Sequence, residues 1–299
     1  MSMREFEYHI CDVFTERPLE GNQLAVFLDA GSLTDDEMQA IARETNLSET
    51  TFILRRDATI ERERGVRVRI FTIREELPFA GHPTLGTAAT IRGAFAEYAD
   101  TEKIVLDLNA GRVPVVFPPE RNTGRSNFGE MTQPEPALGQ LHEIAAVAPL
   151  LGLSEQDCVA QPQPQTVSTG LPYCVVLIRS IESLGRLRVN LMASARYFQS
   201  SDTKFFYAIA PEKPGVWRAR MQFYNGEDPA TGSAAGCAIA YLVQHGIVPA
   251  GERIHIRQGV EIHRPSDLYG SANSHLGKIT EVRVGGSTVQ VAKGRLFLQ

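Results

Sequence analysis

The feature that most constrains this 299-residue chain is that it nearly repeats itself. Glu76-Leu77-Pro78-Phe79-Ala80-Gly81-His82 lies without a gap over Glu227-Asp228-Pro229-Ala230-Thr231-Gly232-Ser233, keeping Glu, Pro and Gly at an offset of 151. Just upstream, Arg67-Val68-Arg69-Ile70 lies over Arg218-Ala219-Arg220-Met221 at the same offset. Near the start of each half, Gly21 followed by Leu24–Leu28 resembles Gly170 followed by Tyr173–Leu177, at an offset of 149. Three matches in one order at nearly one spacing predict a duplicated αβ unit. Each half has the length of an ordinary domain.

Alternating apolar patterns fill in the rest. Phe6, Tyr8, Ile10 and Val13 suggest a first strand, and Leu24–Leu28 a second. Thr34 before Asp35-Asp36-Glu37 fits a capping box, Met38, Ile41 and Ala42 give one apolar helix face, and Asn46 is a helix stop. Strands follow at Thr51–Leu54, Val66–Phe71, Ile104–Leu108 and Val113–Phe117, with a small-residue helix after His82-Pro83. Residues 118–140, with Pro118, Pro119, Pro134, Pro136 and Gly124, read as a linker, although Phe128–Met131 could cross it as a strand. The expected domains are therefore 1–122 and 123–299, with the last strand able to return to the first. Beyond the linker, helices are expected at Leu141–Leu151, Val189–Tyr197 and Ser233–Gln244. Strands are expected at Cys174–Ile178, Phe205–Ala210, Trp217–Phe223, Ile254–Arg257, Lys278–Val284 and Thr288–Leu298.

Composition excludes several function classes. Thirty Lys plus Arg against 35 Asp plus Glu leave a net charge of -5, which argues against nucleic-acid binding. Glu5 and Glu7 interrupt any signal-peptide core, and no apolar run reaches membrane-spanning length. The cysteines (Cys11, Cys158, Cys174, Cys237) fit neither a disulfide scaffold nor a CxxC zinc site, which points to the cytoplasm. The seven histidines show no HxH or HExxH spacing, so no metal site is expected. The Arg-rich stretch Arg55–Arg74 is interleaved with acids and reads as a solvated strand–loop face.

The repeated turn carries the chemistry. Each copy runs from a strand through Glu-x-Pro-x-x-Gly into a helix of Ala, Thr, Gly and Ser. A helix start offers unpaired N–H groups and positive dipole, and a glycine there lets an anion approach the backbone, so each motif is a candidate carboxylate cradle. Taken singly, each is also an ordinary capped strand-to-helix turn, with Asp228 and Thr231 as caps and His82 as a structural histidine. If a pseudo-twofold relates the halves, His82 and Ser233 face each other across one cleft. Glu49, just after the Asn46 stop, reads either as a solvated loop carboxylate or as a desolvated general acid/base.

Asn46-Leu47-Ser48-Glu49-Thr50, Glu76–Thr84, Glu227–Gly236 and Gln258-Gly259-Val260-Glu261-Ile262, with Arg264-Pro265-Ser266, together resemble the PhzF-like family of phenazine biosynthesis. The matches run in family order over nearly the whole chain. The resemblance implies an α+β, diaminopimelate-epimerase-like fold: two similar pseudo-symmetric domains, each a mostly antiparallel β-barrel around a central helix, with the active site between them. It implies a cofactor-independent isomerase acting on a small carboxylate, as in dihydro-3-hydroxyanthranilate isomerisation, and a homodimer. On the same ground Glu49 transfers the proton, and His82 and Asp228 orient substrate and proton. Gly81, Thr231, Gly232, Ser233, Asn22 and Ser48 would bind substrate. Two positions depart from the family pattern: Gln23 follows Gly21-Asn22 where Pro is usual, and His263 precedes Arg264-Pro265-Ser266 where the phenazine enzyme has Gly.

Two rivals are weighed against this. A racemase of the same fold would use opposed cysteines, but neither repeat motif contains one, and Cys237 falls four residues past Ser233. A non-catalytic metabolite binder would have no need of the Glu49, His82 and Asp228 set.

Overall fold

The computed structural model describes residues 3–122, 127–224 and 226–299. The chain divides into two compact units, Met1–Thr132 with Gly285–Gln299, and Gln133–Val284. The boundary expected between 122 and 123, and Gly124 of the linker, fall at 123–126, outside the described residues.

The first unit holds β1 (Arg4–Val13), β2 (Asn22–Phe27), α1 (Asp35–Thr45), β3 (Glu49–Leu54), α2 (Ala58–Arg64), β4 (Val66–Phe71) and β5 (Glu76–Leu77). It continues through α3 (Gly81–Ala94), β6 (Lys103–Leu108), β7 (Gly111–Val116) and β8 (Asn127–Thr132). The second holds β9 (Ala137–Leu141), α4 (Ile144–Leu150), β10 (Gln165–Ser168), β11 (Pro172–Leu177), α5 (Ile181–Gly185) and α6 (Leu191–Gln199). After them come β12 (Phe205–Lys213), β13 (Val216–Arg220), β14 (Gln222–Phe223), β15 (Gly226–Glu227), α7 (Gly232–Gln244), β16 (Ile254–Gln258) and β17 (Ser266–His275). The final strand, β18 (Lys278–Leu298), starts in the second unit and ends in the first.

In the first unit the strands neighbour one another in the order β1-β2-β3-β4-β6-β7-β8, and β18 lies between β8 and β1, closing eight strands into a barrel. Most pairs are antiparallel; β2–β3 and β4–β6 are parallel because a helix returns the chain between them. The period-2 alternation of β1 turns Phe6, Tyr8 and Ile10 toward Met38 and Ile41 of α1. Its other face turns Cys11 and Val13 toward α3, where a Cβ on Gly86 would stand 2.7 Å from Val13 and Leu24 side-chain carbons. Every residue of α3 from Gly81 to Ile91 is buried, which is why this helix has no polar face. The α+β architecture of two similar units, each a mostly antiparallel barrel-type sheet about a buried helix, is thus the one anticipated.

The second unit follows the same plan. Its strands run β9-β10-β11-β12-β13-β16-β17 with the start of β18 beside β17, and its parallel pairs are β11–β12 and β13–β16. The central helix α7 is buried from Gly232 to Val243 and packs on β10, β11, β12 and β17.

Some local expectations need correction. The Arg55–Arg74 stretch contains a helix, α2, because Glu61 turns inward and accepts from Arg55, the Arg56 N–H and the Tyr98 hydroxyl. The Leu141–Leu151 helix begins only at Ile144, since Leu141 ends β9, and β17 was not anticipated. The two closing strands are one 21-residue strand. Gly285 does not break it; it lets the strand pass the Gly129 carbonyl, which a Cβ would meet at 2.7 Å.

Candidate active site

In the first unit three of the expected residues converge. The capping box of Thr34 with Glu37 starts α1, and Asn46, left-handed at φ 52°, ends it and turns the chain into β3 at Glu49. The Thr45 and Thr50 hydroxyls, 2.7 Å apart, brace this corner, and the Thr51 and Thr87 hydroxyls, 2.8 Å apart, tie β3 to α3. Parallel pairing sets Glu49 opposite Leu24 on β2, two residues past Asn22. Gly21, at φ +71°, makes the turn into β2; a Cβ there would be 2.4 Å from the Val13 carbonyl.

His82, in the first turn of α3, is 4% exposed, and its Nδ1 lies 3.4 Å from Glu49 Oε2 and 3.4 Å from Asn22 Nδ2. Burial pushes the imidazole pKa down to about 3, against a backbone contact at Gln23 that pulls it up, so the ring is neutral at neutral pH. Asn22 and the Glu49 carboxylate both face Nδ1, whereas Nε2 is buried and has no hydrogen-bond partner among the described residues. That nitrogen can be offered to a ligand. Glu49 is less buried than His82, its side chain 17% exposed. Gly81 and Ser48 adjoin these two residues in sequence.

In the second unit the loop before α7 is locked from within. The Thr231 hydroxyl donates to Asp228 Oδ2 at 2.6 Å. Gln258, fully buried, donates from Nε2 to the Asp228 carbonyl and the Thr231 hydroxyl, and its Oε1 accepts from the Thr231 N–H and the Tyr207 hydroxyl. Thr231, expected to touch substrate, therefore has its hydroxyl engaged in holding Asp228. The Ser233 hydroxyl pairs with Tyr173 at 2.8 Å, and the Gly232 carbonyl accepts from Gln133. Gln258, Tyr173 and Gln133 were not foreseen; Gln258-Gly259 opening a motif segment was the one signal in the sequence.

The two central helices share a deficiency. Unlike α1, neither α3 nor α7 has a side-chain cap or an acid in its first turn. Their leading amides keep anion-binding capacity. The four cysteines are free and buried; burial pushes Cys11 up to about 12 and Cys237 up to about 11, far from thiolate at neutral pH. Among the described residues no cluster suits a metal ion, and no helix is long and apolar enough to cross a membrane.

Comparison with known proteins completes the description. Residues 11–294 match the phenazine biosynthesis-like protein family, PhzC-PhzF. A trans-2,3-dihydro-3-hydroxyanthranilate isomerase of Pseudomonas fluorescens is 37% identical over 97% of this chain and 99% of its own. A solved structure from Pseudomonas aeruginosa, described as a predicted epimerase, is 36% identical, covers 98% of this chain and all of its own, and superposes with a TM-score of 0.83. A Bacillus anthracis PhzF-family phenazine biosynthesis protein, at 23% identity, shares the fold over 99% of this chain and 100% of its own with a TM-score of 0.87.

Proposed function

The chain belongs to the phenazine biosynthesis-like (PhzF) family and is an isomerase, and from that premise we propose that it moves a proton within a small cyclic or amino carboxylate without metal or organic cofactor. Glu49 takes the proton from carbon and returns it elsewhere on the same face of the conjugated system. The His82 Nε2 orients a polar group of the substrate, with Asn22 fixing the ring. The substrate carboxylate docks at a bare helix start, where the Gly81 or Gly232 backbone allows close approach, with Ser48 and Ser233 beside it. Asp228, held by Thr231, supplies the second polar partner.

What carries this reading is the Glu49–His82 pair at 3.4 Å, with a buried imidazole nitrogen left for something else to bind. General acid/base catalysis is worth about 10²–10⁴-fold, and orientation with dipole stabilisation supplies the remainder. Glu49→Gln is expected to fold normally by circular dichroism. It should lose roughly 10²–10⁴-fold in deuterium incorporation from heavy water into dihydro-3-hydroxyanthranilate. Exchange that survives the substitution removes Glu49 from the mechanism.

The reading extends to a cytoplasmic homodimer. The four buried free thiols support a reducing compartment. The edge strand β9, exposed along all five residues with Leu138 and Leu141 uncovered, supports a partner surface.

A further inference from the structure

The first unit has a polar cavity at the end of α3 away from His82. It encloses about 660 Å³, and Glu7, His9, Asp29, Ser32, Ala94 and Lys293 are among its lining residues. The inward face of β1 carries Glu5, Glu7 and His9 in succession, and β18 lies against it with Lys293 opposite His9 and Arg295 opposite Glu7. Glu5 is neutralised by Arg295 at 2.8 Å. Glu7, Asp29 and Lys293 are the charges that remain.

His9 forms the floor. It is 1% exposed, and neither ring nitrogen has a hydrogen-bond partner among the described residues. Its Nε2 stands 3.4 Å from Glu7 Oε1 without hydrogen-bonding geometry. A buried imidazole left this way is unfavourable unless something fills the cavity and bonds to it. Burial, helped by the Lys293 ammonium, holds its pKa below the usual histidine value despite Glu7, so the ring offers one donor and one acceptor. The last turn of α3 adds the negative end of the helix dipole beside Gly93, where a Cβ would meet nothing within 4 Å.

We propose that this cavity binds a small zwitterion carrying both an ammonium and a carboxylate group, of the amino-acid class. The carboxylate takes Lys293 and the His9 N–H, and the ammonium takes Glu7, Asp29 and the carbonyl end of α3. A lone anion would meet Glu7, Asp29 and the helix dipole. A lone amine would leave Lys293 and the ring donor unanswered.

The test reads His9 directly. In full-length protein labelled with ¹⁵N-histidine, the His9 ring signals are assigned by their loss in His9→Gln. They are then followed during titration with each of the twenty amino acids, and with acetate and ethylamine as half-ligands. The expected result is a saturable His9 shift with at least one amino acid at millimolar concentration, at least about tenfold weaker with either half-ligand. Lys293→Met should weaken it by about tenfold or more, the loss of a charge-assisted hydrogen bond. The response should persist in Glu49→Gln. No shift with any amino acid up to about 10 mM overturns the proposal. So does an equal response to acetate, indifference to Lys293→Met, or loss of the response in Glu49→Gln.

Discussion

In the first unit, Arg69 clasps Glu76 with two hydrogen bonds, at 2.7 and 2.6 Å, and so pins the turn that launches α3. In the second, Arg220 clasps Glu227 at 2.8 and 2.5 Å and pins the turn into α7. Even the neutral third partner recurs, with Asn109 donating to Glu76 and Gln222 to Glu227. The divergence lies just beyond the clasp. His82 in one copy is Ser233 in the other, and by strand register the counterpart of Glu49, which faces Leu24, is Phe205, which faces Tyr173. A duplicated scaffold has thus kept its mechanical part twice, while the positions of the Glu49–His82 pair hold Phe205 and Ser233 in the second copy.

The clasps differ in burial, and that difference sets the largest expected effect. Arg220 and Glu227 side chains are 3% and 7% exposed, and Arg220 also holds the Leu184 and Gly185 carbonyls. Glu227→Ala strands a buried guanidinium and should cost about 3–5 kcal/mol in urea unfolding. Glu76→Ala frees Arg69, which is 15% exposed and also pairs with Asp35, and should cost about 1 kcal/mol. Equal losses would break the comparison.

The central helices offer a second contrast. A methyl on Gly236 would fall 2.0 Å from Gln133 Oε1, in a side chain already bound to Gly232 and Thr169, whereas one on Gly86 would meet Leu24 and Val13 carbons at 2.7 Å and the Cys11 sulfur at 3.4 Å. Gly236→Ala should cost about 2–3 kcal/mol and Gly86→Ala about 1–2, by thermal unfolding.

The third contrast is titration. His82 binds its proton near pH 3 when folded and near 6.5 when unfolded. Between those values the unfolded chain takes up a proton that the folded one refuses, so stability falls as pH drops from about 6.5 toward 3. The slope is at most about 1.4 kcal/mol per pH unit, and above 6.5 the contribution is level. Stability measured against pH should therefore be flatter for His82→Asn than for the wild type in that window. Ser233→Asn should leave the slope unchanged.

What the sequence made legible was local or repeated. The Thr34 capping box, the Asn46 stop and both central helices are written within a few adjacent residues, and the doubling stood out because whole motifs recur. What stayed hidden depends on partners far along the chain. Glu61 looks like one more surface acid until Tyr98, 37 residues on, is seen to bond it. Gln258 gains its role only when Tyr207, Asp228 and Thr231 are folded around its amide. The same is true of Asn22 against His82, which are 60 residues apart. The helix α2 was obscured because its charges mimic a solvated surface while one of them is buried.

The shared strand β18 carries a consequence for the order of assembly. Residues 288–298 pair with Arg4–Val13 and so join nearly opposite ends of the chain, whereas residues 133–284 form a continuous stretch. The earlier unit therefore cannot close its barrel until residues 288–298 have been made, and until then it stays open along one seam. The part of the molecule holding Glu49 and His82 is translated first, yet its barrel is sealed by the last residues made.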